Sequence, residues 1–188
     1  MTFQYRFDKE KVLEELAGTG IVSVPEFLTP DIVDRLTSEA RAAKFVRLPA
    51  KEGEVYQDML KCIVDGKDFK AAFDLRKSYL EFIKEQFGFL PDLDINDMEY
   101  VRYPNGSKGL GAHRDYARNI NLISIFPLSG KAKFFVCDDK ERSNLRYLDR
   151  TPGGLILIRG YGYLEQPRPY HGVEDFESES DALIFRNV

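Results

Sequence analysis

The residues best suited to chemistry are His113 and Asp115, in the run Leu110-Gly111-Ala112-His113-Arg114-Asp115-Tyr116. On an extended backbone, side chains two apart share a face, so an imidazole and a carboxylate would project together. The chain has only 2 histidines. The other, His171, stands in Arg168-Pro169-Tyr170-His171-Gly172-Val173, beside another apolar, strand-like run. Two imidazoles and one carboxylate make the facial triad that holds Fe(II) and leaves positions open for other ligands. His113, Asp115 and His171 are therefore the expected metal ligands and catalytic centre. The competing reading is a pair of structural histidines satisfied by hydrogen bonds.

Such ligands need a rigid frame. A chain of 188 residues with 43% hydrophobic content and mixed charge suits one soluble domain. From about Met98 onward short apolar runs recur between Gly, Pro, Asn and Asp: 98–103, 110–115, 120–128, 132–137, 145–148, 154–159, 169–174 and 182–188. Eight such runs predict an antiparallel jelly-roll, or double-stranded β-helix, of cupin-like form. The preceding 97 residues read as helical support with flanking strands. Helices are predicted over 8–17 (Asp8 as N-cap, Gly18-Thr19-Gly20 as stop), from Thr29-Pro30 to Lys44, and over 68–87. A strand is expected at Ile21–Val24, and two short strands joined at Lys51-Glu52-Gly53. Asp92, Asp94 and Asn96 do not make a calcium loop, because Asp97 and Tyr103 stand where glycine and glutamate are required.

Other classes are disfavoured. A net charge of −4 argues against gripping long duplexes by bulk electrostatics. No apolar run reaches the roughly 18 residues of a membrane span. Cys62 and Cys137 are far apart and lack metal-ligand spacing, which predicts reduced thiols and a cytoplasmic location.

Tyr103 upstream of His113-Arg114-Asp115, Pro152-Gly153 before an apolar strand, His171, and the ending Leu183-Ile184-Phe185-Arg186 together resemble the Fe(II)/2-oxoglutarate-dependent dioxygenase superfamily. The likeness spans roughly residues 98–188. Tyr103 to Asp115 and the Ile184-Phe185-Arg186 ending look most like the AlkB-type branch. Gly20–Val24 followed by Phe27-Leu28-Thr29 is similar to the opening of phytanoyl-type hydroxylases.

The resemblance implies Fe(II), 2-oxoglutarate and O₂ as cofactor and co-substrates. Succinate and CO₂ would be released as a substrate C–H is hydroxylated, an outcome that Asp115 favours over halogenation. Arg186 is the expected partner of the 2-oxoglutarate distal carboxylate, since arginine suits a planar carboxylate. Ser180 stands where AlkB-type enzymes carry an additional arginine, and Lys133 or Arg159 are the alternatives to Arg186. Tyr103 and Asn121 are further co-substrate contacts. Arg114, Arg118 and Arg168 are candidates for substrate binding, among tyrosines 116, 161, 163 and 170. A small polar or anionic metabolite is the expected substrate. A nucleic acid, as in AlkB-like demethylation, is the second reading, a peptide or protein the third, and a non-catalytic cupin-like binding module the reading from another class.

Overall fold

The computed structural model describes Phe3 and residues 7–47, 55–88, 90 and 93–188. The first helix, α1 (Lys9–Gly18), begins where the Asp8 carboxylate accepts the Lys11 backbone N–H at 3.1 Å. It leads into strand β1 (Ile21–Val24) and then α2 (Pro30–Ala42), which opens on its proline. That helix stops short of the predicted Lys44 because Ala43 turns extended, with ψ 149°. The third helix, α3 (Lys70–Gln86), has no cap of its own at Phe69. Glu39 of α2 supplies one, taking the N–H groups of Ala71 and Ala72 at 2.6 and 3.1 Å.

Between α2 and α3 lie β2 (Val46–Arg47), β3 (Gln57–Asp58) and β4 (Leu60–Ile63). The expected pair of consecutive strands is not what forms. Strand β2 pairs with β4, whereas β3 crosses to the other sheet. The expected turn at Lys51-Glu52-Gly53, like Asp92, lies outside the described residues.

From Asp97 the chain is β-structure at each of the eight predicted places: β5 (Asp97–Tyr103), β6 (Gly109–His113), β7 (Ile120–Pro127), β8 (Lys133–Cys137), β9 (Arg146–Leu148), β10 (Leu155–Arg159), β11 (Tyr170–Glu174) and β12 (Ser180–Asn187). They form two antiparallel sheets, ordered β1-β10-β7-β12-β5-β4-β2 and β3-β6-β11-β8-β9. This is the expected jelly roll.

Side-chain alternation divides the larger sheet into two faces. Met98, Tyr100, Phe126, Leu157, Leu183 and Phe185 face α1–α3 and join one core with Leu16, Leu36, Leu75, Tyr79 and Ile83. The buried Tyr79 hydroxyl finds a partner in Ser124 at 2.8 Å. On the opposite face Val101, Tyr103, Ile123, Ile156 and Ile158 meet Phe134, Val136 and Val173 of the smaller sheet. The helices thus brace one face and leave the barrel interior to the site. No helix among the described residues is long and apolar enough to cross a membrane.

Candidate metal centre

His113 ends β6 and His171 sits in β11, directly opposite each other in the antiparallel register. Their ring centroids are 4.4 Å apart. Asp115 lies past the end of β6, which stops at His113 rather than at the predicted 115. Two groups hold the loop that carries it. Arg168 donates to the Asp115 backbone carbonyl, and the Asn119 amide donates to its Oδ1 at 3.4 Å. One potential ligand atom from each of His113, Asp115 and His171 falls within 4.8 Å of the others.

The donor set fits a divalent metal. Each histidine turns Nδ1 to the carbonyl two residues earlier, His113 to Gly111 at 2.9 Å and His171 to Pro169 at 3.4 Å. With Nδ1–H donating, Nε2 keeps its lone pair for a metal. Asp115 Oδ2 is buried without a hydrogen-bond partner although it lies 3.2 Å from His171 Nε2. Adjacent ligands on bonds of about 2.1 Å at a right angle lie roughly 3 Å apart, so this spacing suits two groups sharing one ion.

Electrostatics favours these states at His113 and Asp115. Burial, reinforced by His171, pulls His113 down to about 4, so its imidazole is neutral at pH 7. Burial alone would raise Asp115, but His171, His113 and Arg186 outweigh it and hold the carboxyl below its ordinary range. A neutral imidazole and an ionised carboxylate are what metal ligation requires.

The triad opens onto a cavity of about 490 Å³. Val101, Ile123 and Phe134 line its apolar depth, and Arg114, Tyr116, Arg118 and Lys140 also line it. Arg114 stacks on Tyr170 at 4.2 Å, and Arg118 lies over Tyr116 at 5.4 Å. Tyr103 lines the cavity, and burial pushes its phenol up, keeping it a proton donor. Arg186 also lines it, but two acids hold its guanidinium, Asp97 at 2.9 Å and Glu99 at closer range.

Four other residues stand apart from the cavity lining. Asn121 does not line the cavity. It takes a left-handed φ of 58° at the start of β7, which breaks the strand alternation, and Asn119 reaches the site instead. Arg168 is turned to the Asp115 carbonyl and away from the cavity lining. Neither alternative to Arg186 reaches the site. Lys133 is exposed and paired with Asp175, and Arg159 is engaged by the carbonyls of Leu16, Ala17 and Pro167.

No protein-family model and no curated protein sequence matches the chain. Solved structures do. An oxidoreductase of the 2OG-Fe(II) oxygenase family from Burkholderia pseudomallei superposes with a TM-score of 0.74 at 14% identity, covering 99% of this chain and 94% of that one. A Trichoplax adhaerens prolyl hydroxylase, in complex with a hypoxia inducible factor peptide fragment, gives 0.73 at 12% identity, with 95% and 88% covered. The structure of OsALKBH1 gives 0.61 at 17% identity, with 97% and 100% covered. The fold is that of the Fe(II)/2-oxoglutarate oxygenases.

Within this oxygenase fold Gly172, next to His171, has a steric reason to be glycine. A Cβ there would lie 2.5 Å from the Leu110 carbonyl oxygen of β6 and would also strike the Phe135 ring of β8. Gly172→Ala should cost about 1–3 kcal/mol through overpacking. Because β6 and β11 carry the two histidines, metal affinity should fall with it. Thermal unfolding and a metal titration on the same sample check both effects.

Proposed function

We propose that the chain is a single-domain, cytoplasmic Fe(II)- and 2-oxoglutarate-dependent oxygenase that hydroxylates a small polar or anionic metabolite. The observation that carries this reading is the His113–Asp115–His171 cluster at a cavity, with His113 neutral and Asp115 ionised. Iron, when bound there, supplies the activation of O₂ that couples oxidation of 2-oxoglutarate to succinate and CO₂ with hydroxylation of a C–H bond.

The chain's own residues do the positioning. Gly111 and Pro169 carbonyls orient the imidazoles, and Arg168 and Asn119 hold Asp115. Val101, Ile123 and Phe134 keep the cavity interior apolar, which limits water beside the reacting centre. At the cavity, Arg114, Arg118 and Lys140 favour a substrate with carboxylate or phosphate groups.

A nucleic-acid substrate is the second reading, supported by the exposed Tyr116 ring, which offers a stacking surface beside Arg118. The first test is consumption of 2-oxoglutarate with Fe(II) and O₂, monitored as succinate, alone and with a panel of anionic metabolites. Stimulation by a metabolite is expected. Succinate formation stimulated by oligonucleotides, with a salt-dependent mobility shift, would favour the second reading. A folded, iron-loaded protein that forms no succinate under any condition would point to a binding module.

A further inference from the structure

Among the described residues, Arg150 is a buried cation with no carboxylate bonded to it. Arg150 follows β9 and is only 6% exposed. Its Nη1 donates to the Ser180 hydroxyl at 2.8 Å, and its Nη2 is shut from solvent with no hydrogen-bond partner. The other arginines held inside the fold are compensated. Arg159 is ringed by carbonyls, Arg102 grips Asp181, and Arg186 grips Asp97 and Glu99. Arg150 has a neutral hydroxyl and the Phe176 ring 6.0 Å away. Burial pulls its pKa down, with only partial opposition from Tyr103 and Asp181. A guanidinium left unpaired at such a depth is costly and is relieved by an anion.

The position says which anion. Ser180 faces Tyr103 across the β12–β5 register, and Tyr103 lines the cavity that leads to the triad. Phe176 stacks on Tyr103 at 4.5 Å and has the Arg150 guanidinium 6.0 Å from its ring, so the guanidinium lies behind the tyrosine that lines the cavity rather than in the lining itself. Resting on the oxygenase reading above, we infer that Arg150, with the Tyr103 hydroxyl, receives the distal carboxylate of the 2-oxo diacid, and that Arg186 does not. Arg186 would have to abandon two acids to take it, whereas Arg150 has an unused donor. Arg150, following β9 of the smaller sheet, reaches β12 of the larger sheet at Ser180.

The test is anaerobic binding to the Fe(II)-loaded protein by calorimetry, comparing 2-oxoglutarate with 2-oxovalerate, which lacks the distal carboxylate. Arg150→Met should weaken 2-oxoglutarate by at least about 30-fold, as expected for losing one partner of a buried charge pair. It should leave 2-oxovalerate and Fe(II) affinity unchanged, and Arg150→Lys should recover part of the loss. Equal loss for both oxo acids in Arg150→Met, or wild-type affinity for 2-oxoglutarate in that variant, would overturn the assignment while leaving the oxygenase reading intact. Wild type that binds neither oxo acid would overturn both.

Discussion

Asp115→Ala should weaken Fe(II) binding by more than about 100-fold, beyond the 10- to 100-fold typical of losing a residue that merely supports a ligand. The reasoning is local. Asp115 supplies the only carboxylate of the cluster, and its Oδ2 is buried with no hydrogen bond to satisfy it. The fold should survive, because the Arg168 and Tyr161 contacts around this loop use backbone atoms. Asp115→Asn keeps the shape but not the charge and should fall between. Anaerobic Fe(II) titration with circular dichroism on the same samples measures both; an Asp115→Ala protein that binds Fe(II) as tightly as wild type would remove the residue from the site.

Glu99→Ala should be the most destabilising single change near the cavity, by roughly 3–5 kcal/mol, the usual result of removing one member of a buried ion group. Glu99 is the hub of that group. Lys61 reaches it at 3.0 Å and Arg186 more closely, while Asp97 shares Arg186. Without it two cations stay in the cavity wall with one acid between them. The pH dependence follows from the same contacts. Burial works to raise the Glu99 carboxyl, but Arg186 and Lys61 outweigh it, so its folded pKa lies below the ordinary glutamate value of 4.5. A depressed carboxyl contributes stability that is present above 4.5 and lost as pH falls through the lower folded value. Urea unfolding should show that acid-side loss in wild type and a flatter profile in Glu99→Gln. The same slope in both proteins would mean other carboxylates carry the effect.

The strands of the jelly roll were legible because each is apolar on alternating positions and bounded by turn residues. The β5–β12 pairing puts Tyr100 opposite Leu183 on the helix side and Val101 opposite Ala182 on the barrel side. The triad was legible for a different reason: with 2 histidines in the chain, few clusters could be built. Pairing over distance was not legible. Nothing local tells β3 to leave β2 and join β6, since a strand of two residues carries no periodicity. Asn121 against Asn119 turned on one left-handed residue at the start of β7. Arg168 resembled a substrate cation in composition, and only the fold brings the Asp115 carbonyl to it. Arg150 carried no local signal, because its partner Ser180 lies 30 residues further on, in β12.

The central claim is that the His113–Asp115–His171 cluster binds Fe(II) and leaves room beside it for a chelating 2-oxo acid. Anaerobic titration of the Fe(II)-loaded protein with 2-oxoglutarate, followed by visible absorption, tests this most directly. A weak charge-transfer band should grow to saturation at one equivalent of sites and disappear in Asp115→Ala. A folded, iron-loaded wild type that gives no band at any concentration of 2-oxoglutarate would contradict the account.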